Sequence, residues 1–359
     1  MKRALIHIAM MCLVFGPASA ASPRVALLPF SNLSENPHAT TVVMTFVRHD
    51  LAARSIDLAD SATVAEILRK HRVRNTTELS AESVDTVAAE TSVRYLLLGS
   101  IDRYTETDST GEVALSARLL DVATSTIVWA ETAVEYGDPR VDVLGLGAHH
   151  ALTLARRASE HVLKNFRFEA PSHAKVVQAI RVRGDSEPVR PCRRIMVVTF
   201  GNESDTHFAG NIVADEALVL LLRRGFSPVD PGRVREMMLR SGDLMQGEIS
   251  RELLIKCGRD LGADFVLTGT VSRFESQHGQ SFEEPAAAFE ARLIDTKKGE
   301  VVWAKTYSRE GKDSSWIFGV GYVHGLADLS QRMCRRFVRD LPVITGRGTS
   351  PQPALAEGK

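Results

Sequence analysis

Apolar residues recur along the chain with two different periods. The apolar run Val25–Phe30 has the length and composition of a buried strand. Val43, Val47 and Leu51 are spaced four residues apart, which predicts a helix with one buried face. Residues 113–119 alternate apolar with other side chains, which predicts a strand that buries one of its two faces.

This succession of patterns occurs twice. Phe30 aligns with Phe200 at an offset of 170 residues, and Trp129 aligns with Trp303 at an offset of 174. The four additional residues fall in a polar stretch between predicted strands, where insertions are tolerated. At the offset of 174 the closing helices also align, which places His150 opposite His324. The period is too long for a solenoid repeat, so the pattern indicates a duplicated domain.

Each copy predicts the order β-α-β-α-α-β-β-β-α. We therefore expect an α/β (α+β) fold of two repeated domains, each a mixed sheet of about five strands with helices packed on it. The predicted first domain spans 21–165, a linker spans 166–192 and the second domain spans 193–342. The polar, Pro- and Gly-containing tail 343–359 is predicted to be disordered. Each copy is expected to bury its own apolar interior.

The first twenty residues form a separate segment. Lys2 and Arg3 precede the apolar run 4–15, and the small residues 18–20 follow it. This arrangement is typical of a secretory signal peptide, so we predict residues 1–20 to be removed, with cleavage after Ala20. The apolar run is too short for a membrane span. The mature protein is expected in the periplasm, with association to the outer membrane left open.

The cysteines do not have the spacing of a disulfide framework or of a zinc site. Cys12 lies inside the apolar run and follows Met11 rather than a small residue, so it is not expected to carry a lipid. Cys192, Cys257 and Cys334 remain in the mature chain. An odd number without Cys-x-x-Cys spacing fits neither a disulfide framework nor a zinc site. Whether two of the three form a disulfide stays open.

Overall charge excludes some partners. Lys and Arg together number 44, as do Asp and Glu, so the formal net charge is zero. A balanced chain gives no electrostatic reason to expect nucleic acid. No later stretch reaches about 18 uninterrupted apolar residues, so no helical membrane span is expected in the mature chain.

Two glycine pairs resemble part of a dinucleotide-binding loop. Gly145-x-Gly147 and Gly319-x-Gly321 precede predicted helices. A dinucleotide fingerprint needs the glycines directly after a strand and an acidic residue on the next strand. Neither condition is met, so close helix packing is the favoured interpretation and no cofactor is predicted.

Two histidines and two tryptophans are candidate site residues. His324 lies one helical turn before Asp328, a spacing that would allow a His–carboxylate pair, but the first copy lacks the acid after His150. Trp129 and Trp303 end predicted hairpin strands and are expected to pack in the core or at a sheet edge. We predict no catalytic, cofactor-binding or metal-binding residues.

Three strand motifs occur in both copies and resemble a known group. The motifs are Leu28–Asn32, Leu98–Ile101 and Leu119–Trp129 in the first copy, and Phe200–Asn202, Thr268–Val271 and Leu293–Trp303 in the second. With these motifs the sequence resembles the TolB amino-terminal and CsgG-type periplasmic domains over almost the whole mature chain, twice. The resemblance implies periplasmic envelope proteins: secretion-channel subunits, activators of cell-wall synthases, flagellar accessory proteins and polysaccharide-export factors. None of these roles is enzymatic, and several involve rings.

We therefore expect a non-catalytic binding or assembly protein of the bacterial cell envelope, accessory to secretion, flagellar or cell-wall machinery. Its partners would be envelope proteins, with a homo-oligomer left open. The alternative is a ring-forming structural subunit of an outer-membrane, curli-like export apparatus. The chain lacks extra alternating segments of about 9–11 residues that could line a membrane barrel, which disfavours that alternative. A hydrolase or metal enzyme would need matching polar constellations in both copies, and none is found.

Overall fold

The computed structural model describes residues 23–106, 111–137, 150–168, 178–180, 190–192, 194–241, 250–278, 283–314 and 321–344. The predicted signal peptide and cleavage site lie outside the described residues, as do most of the predicted linker and the tail from 345 onward. The predicted boundaries of the domains therefore stay predictions. The predicted order of elements falls within the described part of the chain.

The described residues of the first half form nine elements. They are β1 (Val25–Leu27), β2 (Ser31–Asn32), α1 (Ala39–Ala53), α2 (Ser61–Lys70), α3 (Ala81–Thr91), β3 (Tyr95–Glu106), β4 (Gly111–Asp121), β5 (Thr126–Tyr136) and α4 (Ala151–Val162). Two short strands follow, β6 (Gln178–Ile180) and β7 (Arg190–Cys192).

The second half repeats the series. Its elements are β8 (Arg194–Val197), β9 (Gly201–Asn202), α5 (Ala209–Arg223), β10 (Ser227–Pro228), α6 (Pro231–Arg240), α7 (Arg251–Asp260), β11 (Phe265–His278), β12 (Glu283–Asp295), β13 (Val301–Glu310), a 3₁₀ turn (Gly311–Ser314), α8 (Leu326–Asp340) and β14 (Val343–Ile344). The predicted order of elements is present in the second half, with the short strand β9 in addition. In the described first half, the strand expected between α1 and α2 is reduced to an isolated bridge between Leu58 and Val25.

Within the described residues, each half builds one mixed sheet. The first has the strand order β1-β3-β4-β5 with β2 beside β3, and the second has the order β10-β8-β11-β12-β13 with β9 beside β11. The opening strands pair parallel to β3 and β11, and the last three strands of each sheet are antiparallel. Even the β-bulges recur, between Ile101 and Arg103 and between Val271 and Arg273. The predicted α/β class with two repeated mixed sheets is confirmed.

The repeated glycine of the third strand serves packing. A Cβ atom on Gly99 would lie 2.6 Å from the Phe30 ring, and one on Gly269 would lie 2.5 Å from the Phe200 ring. Real Cβ atoms do not approach so closely, so only glycine lets the ring that ends the first strand lie flat on the sheet. The Phe and Gly motifs are thus a pair that positions the core.

The repeated asparagine serves a turn. The Asn32 carboxamide accepts hydrogen bonds from the Ser34 N–H and hydroxyl at 3.0 and 2.6 Å and donates to the Asn36 carbonyl at 2.7 Å. Asn202 makes the corresponding bonds with Ser204 and Thr206. Asn in such positions satisfies backbone groups that would otherwise be unpaired in a tight turn. This motif is therefore structural in both copies.

The predicted helix starts are present. Asp60 accepts a hydrogen bond from the Thr63 N–H at 2.8 Å, and Asp230 accepts one from the Gly232 N–H at 2.9 Å. Ser80 caps α3 in the same way, at 3.2 Å. Side-chain oxygens of this kind satisfy the free N–H groups of a first helical turn.

The closing helices align differently from the prediction. The buried positions of α4, such as Leu154 and Val162, correspond to Leu329 and Phe337 of α8 at an offset of 175, not 174. The N-caps are His150 and Gly325, which agrees with that offset. The predicted equivalence of His150 and His324 is therefore wrong. The prediction aligned the two helices by identical single residues. Such an alignment misses a difference of one residue in the preceding loop, whereas the buried face of the helix reveals it.

The expectation of two separate interiors is also wrong. One face of the first sheet is closed by α1 and α4, and one face of the second by α6 and α7, each with its own apolar cluster. A third cluster is continuous from the α2 and α3 side of the first sheet to α5 and α8. The second half therefore completes the core of the first.

Candidate functional site

The junction of the two halves is the most elaborate polar region of the described structure. Helix α5 lies against β4 and β5 of the first sheet, and β10 lies beside β5. Every residue of β4 is buried as a result. The sequence predicted a strand with one buried face, and that prediction is wrong for β4 because the second half covers the other face.

A buried ion pair joins the halves. The Arg118 Nε donates to the Asp230 Oδ1 at 3.2 Å, and the guanidinium also donates to the Thr77 carbonyl. Both charged side chains are almost inaccessible, with 6% and 3% of their surfaces exposed. Asp230 caps α6 at the same time through the Gly232 N–H. One carboxylate therefore ties the start of a second-half helix to a first-half strand.

A second carboxylate reaches across in the opposite direction. Glu112 on β4 accepts hydrogen bonds from the N–H groups of Leu326 and Ala327, at 3.2 and 2.9 Å. Arg103 lies 2.7 Å from the same carboxylate. Burial raises the pKa of Glu112, whereas Arg103 and the helix N–H groups act to lower it. The positive end of the α8 dipole and the Arg103 guanidinium therefore both stabilise the Glu112 carboxylate.

Three further acids lie at this junction: Asp102 and Glu216 are buried, and Asp215 is half-buried. Ser100 and Ser116 each donate to Asp102 at 2.5 Å, and burial raises the pKa of Asp102 well above its usual value. Burial also raises the pKa of Asp215 to about 6 and that of Glu216 to about 7. Such shifts can mark catalytic acids, but they also occur in structural networks.

These acids have structural partners. Glu216 accepts from the Ser330 hydroxyl at 2.8 Å, and the Ser100 hydroxyl oxygen lies 3.4 Å from the Asp215 carboxylate. The raised pKa values follow from burial between the halves, and the hydroxyls bridge α5 to α8 and to the first sheet. We interpret the network as a pH-sensitive part of the junction.

A cavity of about 490 Å³ opens between the halves beside Asp215. Asn32 and Asn75 line it, but their carboxamides are engaged in turns. Phe208 lines the cavity with 49% of its surface exposed and has a left-handed φ of 61°. Bulky residues adopt this conformation at a cost in backbone strain.

The candidate residues from the sequence analysis do not lie together in one site. Arg332, not His324, binds Asp328, with contacts of 2.8–3.1 Å. His324 stacks on Tyr136 with the ring centroids 5.9 Å apart, and so contributes to the junction. Gly145, Gly147 and Gly319 lie outside the described residues, and Gly321 has a φ of 90° in the loop before α8.

Trp129, Cys257 and Cys334 are buried, and Trp303 is partly buried. Trp129 packs against Phe166 at 5.1 Å and Trp303 against Phe337 at 6.1 Å, so the predicted packing role is confirmed. Cys257 and Cys334 are buried free thiols, and the side chain of Cys192 lies outside the described residues.

The described residues contain neither a metal-binding cluster nor a helix that could cross a membrane. No group of three or more His, Cys, Asp or Glu side chains is arranged to hold a metal ion. No described helix has both the length and the apolar character that crossing a membrane requires.

The second sheet has an open side where the first is covered. The strand β13 corresponds to β5, but Ala304, Lys305 and Thr306 are exposed where Ala130, Glu131 and Thr132 of β5 are covered. No described strand pairs with the outer edge of β13. Sequence reasoning missed this difference, and its one signal was Lys305 in the second copy where the first has Glu131.

One family model matches part of the chain. A family model described as the peptidoglycan-synthase activator LpoB matches residues 172–308, less than half of the chain. No curated protein matches the chain. The family that matches is LpoB, so the finer resemblance to TolB and CsgG-type domains is unconfirmed.

Several solved structures are similar to part of the chain. The PelC dodecamer from Paraburkholderia phytofirmans is 22% identical and covers 42% of this chain and 89% of its own, with a TM-score of 0.28. Lipoprotein GNA1162 from Neisseria meningitidis is 20% identical, with 41% and 99% covered and a TM-score of 0.31. The LpoB C-terminal domain from Salmonella enterica is 19% identical, with 36% and 87% covered and a TM-score of 0.26. TM-scores this low carry nothing about function.

Proposed function

We propose that this protein is a non-catalytic periplasmic accessory of cell-wall synthesis, which binds a peptidoglycan synthase and activates it. The observation that carries the proposal is the LpoB family match, which begins before the second copy and ends in β13 at residue 308. It therefore includes the sheet whose outer side is open. The predicted signal peptide would deliver the chain to the compartment where such a synthase works.

The geometry supports a binding role for the second copy. The first copy uses its sheet face and the β5 edge to hold the second half, so these surfaces are already occupied. The second copy keeps the corresponding surface exposed at Ala304 and Thr306. An open sheet surface with small side chains allows a partner to approach the backbone closely.

The experiment measures glycan polymerisation by a peptidoglycan synthase from the same organism, with and without the mature chain. We expect a rate increase of several-fold. The variant Ala304→Trp should reduce the increase, because the indole fills the exposed sheet surface, while Ala52→Trp on the exposed side of α1 should leave it intact. An unchanged synthase rate with the wild-type chain at saturating concentration would overturn the proposal.

The ring-forming alternative stays a prediction, and the anchors of the junction are not repeated on the free surfaces. Ala286 stands where Glu112 would be, and Phe46 stands where Glu216 would be. A head-to-tail ring would have to use other contacts. A strict monomer by mass in concentrated solution would remove this alternative.

A further inference from the structure

A groove of about 410 Å³ runs between the open strand β13 and helix α8. Its walls carry six cations: Lys305, Arg309, Arg332, Arg335, Arg336 and Arg339. The chain as a whole has no net charge, so this concentration is local. Its volume lies within the range of about 300–1,000 Å³ typical of ligand sites.

The α8 cations form one stripe. Residues 332, 335, 336 and 339 follow the spacing of a single helix face, and all four side chains are exposed. Like charges one turn apart on a helix repel each other and destabilise it. An anionic ligand would remove this repulsion, so the stripe favours the bound state.

Local carboxylates neutralise only part of the groove. Asp328 binds Arg332, and Asp340 accepts from Lys305 at 2.8 Å and from the Tyr307 hydroxyl at 3.1 Å. Arg336 and Arg339 make no hydrogen bond or ion pair with any described residue. Guanidinium groups bind carboxylates through paired hydrogen bonds, so these two are available for an acidic partner.

The groove follows the strand edge. Five consecutive residues of β13, from Lys305 to Arg309, line it, which means that the groove runs along the backbone rather than against one face. No described strand pairs with that edge. Cations on an edge strand discourage pairing with neutral or basic strands, and they favour an acidic one.

We propose that this groove binds an extended, acidic segment of a partner protein, which adds to β13 as a further strand and places its carboxylates against Arg336 and Arg339. The inference rests on the proposed function, because the partner is an envelope protein of the kind proposed above. Backbone hydrogen bonds to β13 would supply affinity, and the arginines would select the acidic sequence.

Fluorescence anisotropy with the full mature chain tests the proposal. The probe is a labelled ten-residue peptide of alternating Glu and Thr, compared with a version N-methylated at alternate backbone nitrogens and with a Lys-for-Glu version. We expect the acidic peptide to bind, and both altered peptides to bind at least about 10-fold more weakly.

Protein variants locate the site. Arg336→Glu combined with Arg339→Glu should weaken binding at least about 10-fold, since it reverses the charge of the two available guanidiniums. Arg48→Glu combined with Arg157→Glu changes two exposed arginines of the first copy and should leave binding unchanged. All four side chains are exposed, and thermal unfolding checks that each variant is folded.

Three results would overturn the proposal. Equal binding of the N-methylated peptide would leave only a charged patch without strand addition. Unchanged binding by the α8 double variant would place the site elsewhere. Binding of phosphatidylglycerol vesicles through Arg336 and Arg339, without peptide binding, would assign the groove to a lipid surface. The peptide assay contains no synthase, so its failure is distinct from a failure of synthase activation.

Discussion

The strands β5 and β13 occupy the same place in the repeated fold but have opposite surroundings. Trp129 to Ala130 of β5 are buried, whereas Ala304 to Thr306 of β13 are exposed. The registers on their neighbouring strands are the same, with Leu119 opposite Trp129 and Leu293 opposite Trp303. The difference therefore comes from what lies outside the sheet: the second half covers β5, and no described element covers the edge of β13.

The contrast teaches that a duplicated fold need not duplicate its surfaces. Arg118 and Arg292 are equivalent residues, and only Arg118 is buried, in a pair with Asp230. A head-to-tail interface leaves one copy of each contacting surface unused. In this chain the unused surface of the second sheet is available for a partner.

The largest expected effect comes from breaking the buried ion pair. Arg118→Ala leaves the Asp230 carboxylate buried without its cation, which should lower the free energy of unfolding by about 3–5 kcal/mol. The matched control is Arg292→Ala, which removes an exposed guanidinium paired with Glu290 and should change the free energy by less than about 1 kcal/mol. Urea unfolding of both variants measures the difference. Equal losses of stability would contradict the inference that only the first-copy arginine stabilises the fold through a buried ion pair.

The second prediction concerns pH. The pKa of Glu216 in the folded protein is about 7, above the value of about 4.3 for an unperturbed Glu. Between these values the folded state binds more protons than the unfolded state, so the contribution of this carboxyl to stability is lost as pH rises from about 4 through 7. Asp215, with a pKa of about 6, acts in the same direction.

The variant Glu216→Gln isolates this contribution. It keeps an acceptor for the Ser330 hydroxyl but cannot ionise, so its melting temperature should exceed that of the wild type by several degrees at pH 8 and differ little at pH 5. Glu82→Gln, on the exposed first turn of α3, is the control and should follow the wild type at both pH values. A constant difference between the Glu216→Gln variant and the wild type would count against the raised pKa.

A smaller effect is expected at the start of α6. A Cβ on Gly232 would clash with the Leu79 carbonyl oxygen and lie 2.7 Å from the Leu79 backbone nitrogen, across the junction. Gly232→Ala should therefore cost about 1–3 kcal/mol of overpacking, partly offset by the better helix propensity of Ala. The equivalent position is Ala62, and Ala62→Gly should cost no more than about 1 kcal/mol. Thermal melts of the two variants compare the packed and the free helix start.

The smallest effect belongs to an exposed contact of the junction. Arg235 lies 3.1 Å from Glu78, with half of its side chain exposed. Arg235→Ala should change the free energy of unfolding by less than about 1 kcal/mol, and added salt should reduce the difference further. A loss of stability as large as that of Arg118→Ala would show that the exposure of a junction contact does not predict how much the contact contributes to stability.

Much of the fold was predictable because its signals are local. The Asn32 turn and the Asp60 cap involve bonds over two to four residues, and their second-copy equivalents repeat them. The pairing of Phe30 with Gly99 spans a longer distance, but both residues recur at one offset and so appear as a motif. The register of α4 was missed because single residues in a loop do not fix the buried face of a helix.

The candidate sites could not be predicted in the same way. Glu112 is a charged residue at a position that alternation in β4 assigns to solvent, and it is buried because the N-terminus of α8 lies over it. The basic groove combines two segments, Lys305–Arg309 and Arg332–Arg339, which the packing of α8 on β13 brings together. The arginines of α8 have the spacing of one helix face, but nothing in the sequence indicates that this face lies beside β13.

The sequence by itself determined that one unit is present twice, which elements each unit contains and where several of its helices begin. These features depend on side chains acting on their own backbone or on a repeated near neighbour. Only the tertiary structure decided which copy's sheet is covered and which stays open. That choice depends on how α5 and α8 pack across residues more than one hundred positions apart, and no local pattern in either copy encodes it.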